Sequence, residues 1–115
     1  MIVIEKLRAM CQQMEEYSLR KYATPRARDF YDLHSTISVR QIDLSTPENL
    51  DLIRNIFAAK SVELVLLSLI GKYREFHRQD WSSVELTTSG HLDVFDYYFD
   101  FVLDLVRPLK VLWEK

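Results

Sequence analysis

The sequence predicts an all-α fold, a single helical domain over residues 1–115 built as a bundle of about five helices. Three observations predict it. Only two glycines and three prolines interrupt 115 residues, too little punctuation for a many-turned all-β architecture. Apolar residues recur at steps of three and four along most of the chain, which lines one face of a helix. Hydrophobic residues make up 48% and charged residues 28%, and a chain of this length buries about two-thirds of the surface it exposes when unfolded.

From Ile4 the apolar stripe continues through Leu7, Cys11 and Met14, so a first helix is expected over about residues 2–21. Thr24 offers a capping hydroxyl and Pro25 the fixed φ of a first helical position, which starts a second helix whose core stripe is Phe30, Leu33 and Ile37. Arg40 to Leu44 reads as a linker. Ser45-Thr46-Pro47-Glu48 repeats the start signal, and Leu50, Ile53 and Phe57 form the buried face of helix three. Apolar residues encircle the segment Val62 to Ile70, so this fourth helix is expected at the centre of the bundle and to be its most buried part. Tyr73 and Phe76 continue the helical spacing past Gly71, and the stop is placed around His77 to Asp80. Trp81 to Gly90, rich in Ser and Thr, is expected as a loop or a single turn. The last helix, about 91–114, places Val94, Tyr98, Phe101, Leu105, Leu109 and Leu112 on one face and Asp93, Asp96, Asp100 and Asp104 on another, solvated one. Pro108 should kink it or end its regular part.

Composition also excludes function classes. The longest strongly apolar run contains Glu63 and falls far short of the roughly 20 residues that span a bilayer. Ile2-Val3-Ile4 runs directly into Glu5, Lys6 and Arg8, so no signal peptide is expected. Cys11, the single cysteine, has no internal disulfide partner, which places the chain in a reducing compartment, the cytoplasm. A net charge of −2 argues against wrapping nucleic acid by bulk electrostatics, but residues 1–40 hold seven Lys/Arg against five Asp/Glu and the remainder eight against twelve. The basic excess gathers in Arg20, Lys21, Arg26 and Arg28, read first as a solvated helix end and second as a phosphate contact.

The ingredients of several chemistries are missing. His34, His77 and His91 are far apart in sequence, no two aspartates have Asp-x-Asp spacing, and there is no glycine-rich phosphate loop. Cys11 falls on the apolar stripe of helix one and reads as structural.

One polar set stands out. Glu5-Lys6-Leu7-Arg8-Ala9 lies on helix one, and Arg26-Ala27-Arg28-Asp29-Phe30-Tyr31-Asp32-Leu33 opens helix two. Asp29 and Asp32 share a helix face near the positive end of the dipole. If helix two folds back antiparallel, Lys6 reaches that face only from the far end of helix one. A structural reading pairs Arg28 with Asp32 one turn apart and lets Asp29 brace the inter-helix turn. Asp32, beside Leu33, is expected to be the more structural of the two and Asp29 the site residue.

These strings resemble the third and fourth motifs of the abortive-infection nucleotidyltransferase-like toxin family (AbiEii/AbiGii). Phe57-Ala58-Ala59-Lys60, the stretch from Tyr73-Arg74-Glu75-Phe76 to Trp81, and Arg107-Pro108-Leu109 are similar to that family's helical tail. The resemblance covers nearly the whole chain and implies the C-terminal helical portion, or a truncated form, of a toxin from a type IV toxin–antitoxin system. Family members transfer a nucleotide from a nucleoside triphosphate to an acceptor, RNA in some cases. The resemblance implies that Lys6, Arg26 and Arg28 face the triphosphate and that Asp29 and Asp32 act near the reacting phosphate. The family's Gly-Ser and Asp-x-Asp motif, which holds magnesium, is absent here, so this chain alone is expected to be inactive. Magnesium and a nucleoside triphosphate would enter as cofactors only with the missing catalytic half. An antitoxin protein and an RNA acceptor are the implied partners, with no membrane and the oligomeric state open. Two rivals remain: a free-standing helical protein-interaction module, and an RNA-contacting domain that uses the basic turn.

Overall fold

Apolar spacing and capping chemistry give this chain six α-helices and two 3-10 helices, with no strand among the described residues. The computed structural model describes residues 1–114. The helices are α1 (Ile2–Cys11), α2 (Ala27–Arg40), α3 (Pro47–Ala59), α4 (Arg74–Arg78), α5 (Trp81–Thr87) and α6 (Phe95–Val106), with 3-10 helices at Leu64–Tyr73 and Arg107–Leu112. The molecule measures 41 × 34 × 20 Å, and its thin dimension fits two helices of about 10 Å diameter, so the bundle is two layers deep. α6 packs along α2, and α1 touches α2, α3 and the first 3-10 helix.

The α1 stripe is as expected: Ile4, Leu7, Cys11 and Met14 are buried. The helix itself stops at Cys11 rather than running to residue 21. Beyond it local turns, with the Gln13, Met14 and Tyr17 N–H groups donating to the Met10, Cys11 and Met14 carbonyls, replace the helical ladder, joined by side-chain and long-range bonds. Gln13 Nε2 donates to the Ala9 carbonyl, the Glu15 N–H donates to Tyr73 Oη, and Tyr17 Oη donates to the Lys60 carbonyl. With the Ala9 carbonyl and the Glu15 N–H satisfied outside an α-helical ladder, continuing the helix gains little.

Thr46 caps α3 through Oγ1, which accepts the Asn49 N–H at 3.2 Å, with Pro47 in the first helical position. The apolar segment after it is a 3-10 helix, and here the sequence carries a period of three: Leu67 and Ile70 are buried, flanked in the same row by half-buried Leu64 and Tyr73. Side chains three apart eclipse in a 3-10 helix, so this row forms one continuous apolar line. The opposite row, Val65, Ser68 and Gly71, is exposed. The segment is central but not buried on all sides, and it is not the most buried part, since Val3, Ile4, Leu7, Met10 and Cys11 of α1 have no exposure at all.

Structure does continue through Gly71 into α4, which ends at Arg78 as the spacing predicts. Where a loop or single turn is expected, residues 81–87 form α5, because Trp81 and Val84, three apart, bury against the core and Trp81 meets Phe95 and Tyr98. α6 turns a different face inward from the one expected: Phe95, Tyr98, Phe99, Val102 and Val106 are buried and Val94 is exposed. Both faces are apolar in sequence, and the one containing Phe95 and Phe99 wins by meeting Phe30 of α2, whose ring stacks on Phe99 at 4.9 Å. At Pro108 the regular helix gives way to the second 3-10 helix.

Candidate functional site

The polar residues singled out at the start of α2 converge with α1 and with the α4–α5 corner. α2 begins at Ala27, two residues beyond the start expected at Thr24-Pro25, because its first N–H groups find partners far along the chain. The Arg26 N–H donates to His77 Nδ1 at 3.0 Å, and the Ala27 N–H donates to Asp80 Oδ1 at 3.1 Å. These long-range acceptors do the work of a local cap. Thr24 does not cap; its N–H donates to Gln13 Oε1 at 2.9 Å.

Lys6 of α1 reaches this corner. Its Nζ donates to Asp29 Oδ1 at 3.0 Å and to Asp32 Oδ2 at 3.3 Å. The other Asp29 oxygen accepts from Arg26 Nε. Four of the five residues named from the resemblance, Lys6, Arg26, Asp29 and Asp32, therefore form one ion cluster. The fifth, Arg28, points away: its Nη2 donates to Thr87 Oγ1 on α5, and the one-turn pair with Asp32 is not formed. Burial ranks the two carboxylates opposite to the sequence expectation, with the Asp29 side chain 8% exposed and that of Asp32 32% exposed. Asp29 is the brace.

Burial by itself would lower the Lys6 pKa, but the hydrogen bonds and charges of Asp29 and Asp32 outweigh it and hold the ammonium above the usual lysine value. Lys6 is a fixed cation and no base. His77 is buried between Phe30 and Phe76. Burial pushes its pKa down to about 4; Asp29 works against that shift and Arg26 with it. The neutral ring is the state that can accept the Arg26 N–H at Nδ1.

The chemistry open to this arrangement follows from its charge balance. Two cations meet two carboxylates, and both Asp29 oxygens are occupied. A magnesium site needs several free oxygen ligands, and no group of three metal-ligating side chains stands together among the described residues. The residues present do not fit that ion.

His77 and Asp80 were not legible from the sequence as members of this cluster, because long-range capping leaves no local motif. A second network was partly legible. Asp96 and Asp100, read as a solvated strip, pair with Arg74 and Arg78: Arg74 Nη1 lies 3.0 Å from Asp96, Arg74 Nη2 2.7 Å from Asp100, and Arg78 Nη2 2.7 Å from Asp96. The matching one-turn spacing of the arginines and of the aspartates was the signal.

Among known proteins, no family, curated protein or solved structure matches this chain.

Proposed function

We propose that this chain is the C-terminal helical part, or a truncated form, of a nucleotidyltransferase-like toxin of a type IV toxin–antitoxin system, inactive alone. The observation that supports the reading is the convergence of Lys6 with Asp29 and Asp32 across more than twenty intervening residues, since these are the residues on which the resemblance rests. Within this chain their role is positional. Lys6 and Asp29 lock α1 to the start of α2 and present the outer edge of Asp32 to solvent. The nucleotide-facing role of Lys6, Arg26 and Arg28 and the reaction-centre role of Asp29 and Asp32 belong to the complete protein, in which a separate Gly-Ser and Asp-x-Asp motif supplies the magnesium ligands. An antitoxin protein and an RNA acceptor are its partners at that level, and the unpaired, buried Cys11 suits a cytoplasmic setting.

A second reading, a helical protein-interaction module, is favoured by large apolar side chains left in solvent, with Leu86 88% and Val94 69% exposed. The native reading frame upstream of Met1 separates the two. A Gly-Ser followed by Asp-x-Asp in that frame supports the toxin reading. An upstream frame without it overturns that reading and leaves the interaction module.

A further inference from the structure

A groove that takes no part in the ion cluster runs between the first 3-10 helix and the passage of α6 into the second. Its volume is about 360 Å³. Leu67, Leu103, Val106 and Trp113 make its lining mainly apolar, and Leu103 and Trp113 are only half-buried. Gly71 keeps it open. This exposed glycine sits inside a 3-10 helix without a positive φ. A Cβ there would meet, outside its own helix, only the Leu103 side chain, at an ordinary contact of 3.6 Å. Neither backbone nor internal packing calls for glycine, the least favoured helical residue after proline. What the missing side chain provides is room for a side chain from outside.

The charges at the rim decide what that partner is. Arg107, Lys110 and Glu114 line the groove, and Arg107 is already answered by Asp104 at 2.7 Å. Lys110 and Glu114 lie one turn apart, the Glu114 N–H donating to the Lys110 carbonyl at 2.9 Å. Their side chains do not pair with each other, and neither has another ion-pair partner among the described residues. The groove thus carries one free charge of each sign. A wholly acidic or wholly basic partner would satisfy one of them and repel the other. A second copy related by a two-fold axis satisfies both, because Lys110 of each copy meets Glu114 of the other, while the half-buried Leu103 and Trp113 of the two copies cover one another.

We infer that this groove is the interface of a two-fold dimer of this chain. The inference is independent of the nucleotidyltransferase-like reading, because it uses none of the residues of the Lys6 cluster and its test needs no nucleotide. A groove of this size belongs with weak, transient interfaces, so a Kd on the order of 10–100 μM is expected. Sedimentation equilibrium of the full chain, loaded up to about 1 mM, measures it. Lys110→Glu and Glu114→Lys should each weaken the dimer about tenfold or more, since each sets like charges against one another across the axis. Gly71→Leu should do the same by filling the hollow. A one-to-one mixture of the two charge variants should form a heterodimer about as tight as the parent dimer, because both cross-axis pairs are then attractive. At dilutions where all are monomeric the charge variants should melt like the parent, both positions being exposed. Glu85→Lys on α5, outside the groove, should leave the dimer intact. A parent that stays monomeric up to about 1 mM, which would leave the groove to another partner, would overturn the inference. So would a dimer that survives both charge reversals or Gly71→Leu, or a mixture that associates no more tightly than either variant alone.

Discussion

Asp29 holds a cation on each carboxylate oxygen, Lys6 on Oδ1 and Arg26 on Oδ2, and is nearly buried while doing so. Asp29→Asn leaves Lys6 and Arg26 facing a neutral amide, and breaking one member of such a buried set costs about 3–5 kcal/mol. Lys6 retains Asp32, and the Lys6 and Arg26 side chains stay 22% and 35% exposed, so the loss should fall below that range, at about 2 kcal/mol. Asp32→Asn removes only the more exposed contact and should cost about 1 kcal/mol or less. Urea unfolding of the two variants checks this ranking, and equal losses would contradict it. His77 adds a pH dependence. Its folded pKa, about 4, lies below the ordinary 6.5, so between these values the unfolded chain binds the extra proton. Stability should be full above about pH 6.5 and fall as pH drops toward 4, by at most about 1.4 kcal/mol per pH unit. His77→Asn keeps an acceptor for the Arg26 N–H and removes the titration, so its stability should change less between pH 6.5 and 5 than the parent's. Identical slopes would show that His77 is not the titrating group.

At the scale of elements, the two threonine-proline start signals behave differently although they look alike in sequence. Thr46 caps α3 and its loss to alanine should cost about 1 kcal/mol. Thr24 offers only its backbone N–H, to Gln13, and Thr24→Ala should shift stability by less than about 0.5 kcal/mol. Thermal melts of the pair distinguish a working cap from a silent one. The same contrast shows what local sequence could convey. Asn49 lies three residues after Thr46 and donates its N–H to it within one turn, so that cap is readable; the donors at the start of α2 meet His77 and Asp80, more than fifty residues away, and nothing near Thr24 announces it. The stripe from Ile4 to Met14 was legible because burial follows spacing, yet the end of α1 was not, because the chain turns locally after Cys11 and the Glu15 N–H goes to Tyr73, fifty-eight residues away. The 3-10 helix was misjudged for a third reason: in a run as apolar as Val62 to Ile70, periods of 3 and 3.6 both fit, and only the exposure of Val65, Ser68 and Gly71 separates them.

For the whole molecule, the all-α class followed from scarce glycine and proline and from helical spacing, and one contiguous core binds the elements together. The facing of α6 did not follow, since two of its faces are apolar and the choice rests on Phe30 meeting Phe95 and Phe99 from another helix. The candidate site was legible as a set of residues but not as a geometry: Lys6, Arg26, Asp29 and Asp32 meet, Arg28 leaves for Thr87, and the charge of the cluster closes on itself. A closed cluster without magnesium ligands provides no charge stabilisation for phosphoryl transfer, which is what a protein chiefly contributes to that reaction. The proposal to be tested is that the chain is one part of a nucleotidyltransferase-like protein and silent without the other. Magnesium-dependent transfer of labelled nucleotide to RNA, measured for residues 1–115 alone and for the chain extended upstream through its native reading frame, tests it most directly. The account predicts no transfer by the chain alone and transfer by the extended protein that Lys6→Ala abolishes; transfer by the chain alone that Lys6→Ala abolishes, or none by the extended protein, would contradict it.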